Sequence, residues 1–219
     1  MQYPKTPLNK VVRGNNRARY DQKTVFDILD AGFVGFVSYN YEEKAMSIPM
    51  AYARLGESVY LHGSRKNRML TSLLQQQDAS MTVMHLDGLV LARSGFHHSV
   101  NYRSVTLFGP LTEITDSDEK NTVLKAIVDQ MIPDRYESLR PMNDKERNAT
   151  LVVELKIASA SAKVRDVGVL DEKEDMDYPV WAGVIPIKQV ALPPIADENL
   201  SETLPTPAHI TDYYEKHRI

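Results

Sequence analysis

The sequence contains no cysteine and no long apolar run. The first absence excludes disulfide bonds, thiolate catalysis, and zinc or iron–sulfur sites with cysteine ligands. The second argues against a membrane-spanning helix, which needs roughly 20 consecutive apolar residues. Residues 1–20 also lack the apolar core of a secretory signal. Together these absences predict a cytoplasmic protein without a membrane partner.

An excess of charge of one sign is also missing, because 26 Lys and Arg residues face 29 Asp and Glu residues for a net charge of −3. The exception is the segment 1–20, which carries five basic residues and no acidic one. Such a segment is either a nucleic-acid-binding arm or a solvated leader of the domain. Nucleic-acid binding makes a whole domain basic, so the net charge favours the leader and predicts no nucleic-acid partner.

Apolar residues that alternate with polar ones indicate six strand candidates, at residues 33–37, 46–53, 58–62, 79–86, 103–111 and 151–163. Helical spacing predicts three intervening helices, from Asp21 to Gly32, from Arg65 to Gln76, and from Asp116 to Met131. Pro49 cannot donate a hydrogen bond within a sheet, so it marks a bulge or an edge.

These elements predict an α+β fold, mainly β, in which six antiparallel strands form a small barrel with flanking helices. We expect residues 1–219 to form a single domain with a leader at 1–20 and an extended tail at 193–219.

The segment Tyr60–Met69 contains the clearest candidate for a binding site. The pattern predicts a strand that ends at His62, a turn at Gly63, and a helix that begins with Ser64, Arg65 and Lys66. A helix N-terminus attracts anions, and cations in its first turn are unfavourable for the helix itself. A bound phosphate group explains their presence, since arginine grips phosphate with two hydrogen bonds. A basic surface turn without a ligand is equally consistent with the pattern.

Other residues with chemical potential give weaker signals. His62 is either a functional histidine or a hydrogen-bonded structural one. His97 and His98, even with His85, have no carboxylate or cysteine at ligand spacing, so no metal site is predicted. Trp181 either fills the core or forms the wall of a site for a planar ring. The sequence has no Gly-x-Ser-x-Gly motif and no paired catalytic carboxylates, so it gives no support for a hydrolase.

Five segments, in this order and spacing, resemble the pyridoxamine 5′-phosphate oxidase superfamily of FMN-binding split barrels. The likeness is greatest to its branch of flavin-nucleotide-binding and nitroimidazole-resistance proteins, and it covers roughly residues 13–193. The segments are Arg17-Ala-Arg-Tyr-Asp21, Ser47-Ile-Pro-Met50, His62-Gly-Ser-Arg-Lys66, Tyr102-Arg-Ser-Val105 and Val180-Trp-Ala-Gly183.

The resemblance implies a homodimer with two FMN sites, each built from both subunits. It places the second strand along the isoalloxazine ring, Trp181 of the second subunit beside the flavin, and His62 as the one functional histidine, a catalytic candidate. Pro49 then fits a bulge that lets the ring approach closely. The cofactor-binding residues implied are Ser47, Ile48, Pro49, Met50, His62, Gly63, Ser64, Arg65, Lys66, Arg103, Ser104 and Trp181.

The chain also departs from the oxidases of this superfamily. It has Ile48-Pro49-Met50-Ala51 in place of their Arg-x-x-Leu-Lys segment and lacks an arginine–histidine cluster after Trp181 to hold pyridoxal phosphate. The sequence therefore predicts an FMN-dependent oxidoreductase that acts on a small planar or nitroaromatic molecule. Two alternatives stay open: a flavin carrier or sensor, and a haem-binding split barrel that recruits His85, His97, His98 or His209.

Overall fold

The computed structural model describes residues 1–76, 78–201 and 203–219, and its largest feature is one antiparallel sheet that closes into a ring. The strands in these ranges are β1 (Ala18–Arg19), β2 (Val34–Tyr41), β3 (Lys44–Leu55), β4 (Ser58–Ser64), β5 (Asp78–Leu91), β6 (Ser99–Glu113), β7 (Thr150–Lys156), β8 (Ser159–Arg165) and β9 (Gly183–Pro186). The helices are α1 (Gln22–Asp30), α2 (Arg68–Gln76), α3 (Ser117–Met131), α4 (Asp144–Ala149) and α5 (Ala208–His217).

The ring contains six strands in the order β6–β7–β4–β3–β2–β5, and pairing between β5 and β6 closes it. β8 pairs with β6 outside this ring, β1 pairs with β8, and β9 extends the edge of β5. The prediction of a mainly β, α+β fold with a six-stranded split barrel is thereby confirmed. None of the helices in the described ranges has the length and apolar character that a membrane crossing requires.

The barrel closes because two long strands change partners along their length. β3 pairs with β2 through residues 44–51 and with β4 through residues 52–55. β6 pairs with β8 through residues 102–108 and with β7 through residues 111–113. The change on β6 occurs at Gly109, where a Cβ atom would lie 1.8 Å from the carbonyl oxygen of Lys156. Only glycine permits this approach of two backbones.

The interior of the barrel is filled by alternate residues of the strands and by one face of α2. Val37, Leu61, Met81 and Leu107 are fully buried in one cluster with the α2 residue Leu73. Burial of each such side chain contributes roughly 1.5–3 kcal/mol. A second cluster lies on the outer side of the sheet, where α3 covers β3, β4 and β7.

Several predicted strands extend beyond their expected bounds, and two further boundaries were wrong for a clear physical reason. The single strand expected at residues 151–163 is two strands, because Ile157 donates its N–H to Glu57 and Ala158 donates its N–H to Phe108. The alternation of apolar residues continues through both strands, so it does not reveal this break. The helix expected to begin at Ser64 begins at Arg68, because the Asn67 side chain accepts the N–H of Leu70 at 3.1 Å as an N-cap.

The N-terminal segment packs against the barrel. Tyr3 and Asn9 are both buried, and Asn9 donates to the carbonyl oxygen of Ala160 on β8 at 3.1 Å. The C-terminal tail is extended up to α5, and the N–H of Ala191 donates to the carbonyl oxygen of His217 at 3.0 Å. The tail therefore folds back on its own start.

Candidate functional site

The free edge of β3 is the feature that organises the candidate site. Through residues 44–51 this strand pairs only with β2 among the described residues, because β4 joins β3 only from Tyr52 onward. Pro49 lies in this half of the strand, and its register with Phe36 continues without a shift. The sequence predicted that Pro49 marks either a bulge or an edge. Pro49 occupies an edge, so the expectation of a bulge was wrong.

A cleft of about 510 Å³ lies between this edge and the start of α2. Its wall on β3 is formed by residues 48–51, which include the predicted Ile48, Pro49 and Met50. Its other wall is formed by residues 67–69, and Tyr39 lies between the two. A neighbouring cavity of about 640 Å³ continues along the same strand past Ser47 and also contacts Tyr39.

The N-terminus of α2 gives this cleft a positive end. The first N–H groups of a helix have no partner within the helix, and the helix dipole is positive there. The guanidinium of Arg68 adds a full charge and lies 4.2 Å from the centre of the Tyr41 ring. Sequence reasoning missed both Asn67 and Arg68. The sequence signal that could have identified them is an N-cap residue, Asn67, followed by the helical spacing of Met69, Leu70 and Leu73.

Tyr39 contributes a buried hydroxyl group to the same region. Its side chain is 4% exposed, and its hydroxyl oxygen has no hydrogen-bond partner in the described part of the chain. The guanidinium of Arg68 lies near this oxygen without the geometry of a hydrogen bond. A buried hydroxyl without a partner costs about 1–3 kcal/mol, so Tyr39 is suited to donate to a ligand in the cleft.

The predicted basic turn borders the cleft but does not line it. Arg65 donates from both terminal nitrogens to one Glu113 oxygen at 2.7 and 2.6 Å, and both side chains are partly exposed. Lys66 is exposed and donates its N–H to the Ser64 hydroxyl at 3.2 Å, next to Gly63 at the end of β4. Glu113 therefore engages two of the five N–H groups of Arg65, and the others stay available to a phosphate.

His62 lies on the other side of the sheet from the cleft. Side chains alternate along β4, so His62 shares the outer face with Tyr60, which packs under α3. Its Nδ1 atom is buried without a partner among the described residues, and burial lowers the pKa of its imidazole. A contact between His62 and a flavin stays a prediction.

Arg103 and Ser104 point to opposite faces of β6. Arg103 donates to both Asp87 oxygens at 3.0 and 2.9 Å, and this carboxylate raises the pKa of the guanidinium. Ser104 faces outward between Met84 and Lys163 on the neighbouring strands. The structure therefore brings neither residue to the cleft of the same subunit.

The outer face of β2 and β5 is apolar and exposed. It presents Val34, Phe36, Met84 and Leu86, each at least 39% exposed. Trp181 is also on the surface, where 66% of it is exposed and its ring packs over the Cα of Gly183. Trp181 therefore does not fill the core, in contrast to one of the two predicted alternatives.

Comparison with known proteins identifies a protein family and several solved structures that this chain is similar to. A family model described as pyridoxamine 5′-phosphate oxidase matches residues 21–164. The flavocytochrome Anf3 from Azotobacter vinelandii is 41% identical, with 95% of this chain and 97% of that chain covered and a TM-score of 0.90. The FAD- and haem-binding protein from Mycobacterium smegmatis is 30% identical, with 90% and 97% covered and a TM-score of 0.86.

A Bacteroides thetaiotaomicron protein named for 5-nitroimidazole antibiotic resistance is 19% identical, with 67% of this chain and 86% of that chain covered. Its TM-score of 0.58 shows a shared fold alone. No curated protein sequence matches the chain.

Proposed function

Because the chain belongs to the pyridoxamine 5′-phosphate oxidase family of flavin-binding split barrels, we propose that it is an oxidoreductase that holds its flavin along the free edge of β3. The observation that carries this proposal is the cleft between residues 48–51 and residues 67–69. It joins an apolar strand edge, suited to a planar ring, to a helix N-terminus with an arginine, suited to a phosphate.

In this proposal Ile48, Pro49 and Met50 contact the ring, and Tyr39 donates its unpartnered hydroxyl to a polar atom of the flavin. Arg68 and the first N–H groups of α2 bind the phosphate, together with Lys66 from the adjacent turn. A bound flavin supplies the electron chemistry, while the protein orients the ring and controls access to it.

We propose FAD as the nucleotide, in place of the FMN expected from the sequence. The similarity to the mycobacterial FAD- and haem-binding protein, at 30% identity, favours this choice. Mass spectrometry of the flavin released by heat identifies it, and release of FMN alone would refute FAD.

We also propose a homodimer in which each subunit completes the other's site. Its support is the exposed apolar face of Val34, Phe36, Met84 and Leu86, since such patches mark interaction surfaces. The exposed Trp181 is then available to a flavin bound by the partner. Analytical ultracentrifugation tests this proposal: a monomer at micromolar concentration contradicts it, and a dimer that V34D/F36D dissociates supports it.

Haem is the second redox group that we propose. Two proteins at least 30% identical over nine-tenths of this chain are a flavocytochrome and a FAD- and haem-binding protein. The absorption spectrum of the purified protein tests both groups, because oxidised flavin gives two bands in the near-ultraviolet and blue and haem gives an intense Soret band. A protein that purifies without flavin and binds neither FMN nor FAD would refute the flavin site.

Turnover distinguishes an oxidoreductase from a carrier or sensor. The reduced protein is mixed with oxygen or with a nitroimidazole in a stopped-flow instrument. Reoxidation of the flavin at rates typical of turnover, about 1 s⁻¹ or faster, supports the oxidoreductase. Failure of both acceptors to reoxidise it would leave the carrier as the better description and refute the proposed reaction class.

A further inference from the structure

The loop of residues 92–98, here called the histidine loop, connects β5 to β6 and carries His97 and His98. It is held in one arrangement by Asp171. Arg93 donates its backbone N–H and its guanidinium to this carboxylate at 3.0 and 2.9 Å. Burial by itself raises the pKa of Asp171, but the hydrogen bonds from Arg93 outweigh it and hold that pKa below its ordinary value. The loop is therefore anchored to the segment that carries Asp171.

His98 has the proton arrangement of a metal-binding imidazole. Its Nδ1 atom lies 2.9 Å from the carbonyl oxygen of Ser94, and its side chain is exposed. Because a carbonyl oxygen only accepts hydrogen bonds, Nδ1 carries the proton and Nε2 presents its lone pair to the outside. Histidines that bind metals nearly always donate their other ring N–H to such a partner.

The surroundings of His98 are apolar and aromatic. Phe96 in the same loop is 90% exposed. The segment 170–181 runs beside the loop, held by the contacts of Arg93 with Asp171 and by the pairing of Leu91 with Gly183 at the start of β9. This segment exposes five further large apolar or aromatic side chains, which are Leu170, Met176, Tyr178, Val180 and Trp181.

This combination fits haem better than a bare metal ion. Within the residues that the structure covers, no group of three or more His, Cys, Asp or Glu side chains can hold an ion. A haem iron needs only an axial imidazole from this loop, and its macrocycle needs a broad apolar surface. An exposed patch of this kind next to a histidine with a free Nε2 meets both needs.

We infer that Nε2 of His98 is an axial ligand of haem, with Phe96 and Trp181 contacting the macrocycle. This inference rests on the haem part of the proposed function.

The five other histidines are less suitable. Nε2 of His85 is engaged with the carbonyl oxygen of Ile28 at 3.0 Å, and Nε2 of His97 lies 3.6 Å from Glu172. His62 is on the face of β4 that α3 covers, and Nε2 of His209 is buried on α5. His217, at the end of α5, stacks against Tyr213 with ring centres 4.4 Å apart.

The test uses the full-length protein, titrated with haemin, and the variants H98G and H97Q. We expect H98G to lose haem affinity by about tenfold or more and to change its Soret and visible bands. Added imidazole restores those bands by occupying the space left by the side chain. H97Q, the matched control, keeps the wild-type spectrum. Flavin content and circular dichroism of each variant show that its fold is intact.

Two results would overturn the inference in different ways. If the wild-type protein binds flavin but no haem, the haem proposal fails together with the ligand assignment. If the wild-type protein binds haem and H98G gives the same affinity and spectrum, only the assignment of His98 fails. A spectrum that H97Q changes and H98G does not identifies His97 as the ligand instead.

Discussion

The cations around the start of α2 allow a direct test of the flavin site. We compare three variants, R68A, R65A/K66A and the control R140A, whose arginine pairs with the exposed Glu146 instead. Arg68 lines the cleft, so its loss removes one or two charge-assisted hydrogen bonds to a phosphate, each about 1.5–3 kcal/mol. Since 1.4 kcal/mol is tenfold in affinity, each lost bond weakens FMN or FAD binding roughly tenfold to a hundredfold.

The pair of Arg65 and Glu113 decides what the double variant does. Both side chains are partly exposed, and such ion pairs contribute only about 0.2–1 kcal/mol. A phosphate contact is worth more than this, and Glu113 uses only two of the five N–H groups of the guanidinium, so the pair does not prevent Arg65 from contacting a phosphate. We therefore expect R65A/K66A to weaken binding by at least about tenfold. E113Q releases Arg65 in advance and leaves affinity equal or higher.

The assay is titration of flavin-free protein with FAD, FMN and riboflavin, followed by the change in flavin fluorescence. Riboflavin has no phosphate, so R68A and R65A/K66A should bind it as the wild type does. The phosphate assignment is refuted if both variants fold and bind FMN and FAD with wild-type affinity. It is also refuted if the affinity for riboflavin falls in parallel, because the loss then lies at the ring.

Three further predictions concern stability and are measured by urea denaturation. Y39F, which removes a hydroxyl without a partner among the described residues, should not lower the free energy of unfolding of the flavin-free protein. Y52F should lower it by about 0.5–1.5 kcal/mol, because it removes the hydrogen bond that Tyr52 donates to the carbonyl oxygen of Leu29 and leaves that oxygen with two long contacts, from the N–H of Gly32 and the side chain of Gln130, both at 3.4 Å. Equal losses would contradict this. G109A should cost about 3 kcal/mol or more, because its Cβ meets the backbone at the end of β7, while G168A, which meets nothing within 4 Å, serves as the tolerated control. Burial lowers the pKa of the His62 imidazole below its ordinary value of 6.5, so as the pH falls this imidazole is protonated in the unfolded chain before it is protonated in the folded protein. The free energy of unfolding should therefore fall as the pH drops below 6.5, and H62Q should reduce that fall.

Several elements could be predicted because their signals are local. The Asp21 side chain accepts the N–H of Thr24 at 2.8 Å, and the Asp116 side chain accepts the N–H of Glu119 at 2.9 Å. Both helices begin where an acidic N-cap precedes helical spacing. β2 and β3 were predicted from alternation at residues 33–37 and 46–53, but β2 continues to Tyr41 and β3 begins at Lys44, because a two-residue turn joins them with Glu42 and Glu43 both at positive φ.

Other features depend on contacts between distant segments and carry no local signal. The division of the predicted strand at Ile157 follows from hydrogen bonds to Glu57 and Phe108, which are about 50 residues or more away in sequence. The engagement of Arg65 with Glu113 likewise joins residues 48 apart. Neither partner can be read from the residues next to it.

The sequence by itself determined the barrel class, the family and the strand segment Ile48–Met50, because alternation, capping residues and motif order are properties of neighbouring residues. Only the tertiary structure decided that this segment is an open edge, that Arg68 faces it, and that His62 lies behind α3. These outcomes depend on where β4 joins β3 and on which face of a strand each side chain occupies. The arrangement of the loop that carries His98 was decided in the same way, since it depends on Asp171, 78 residues from Arg93.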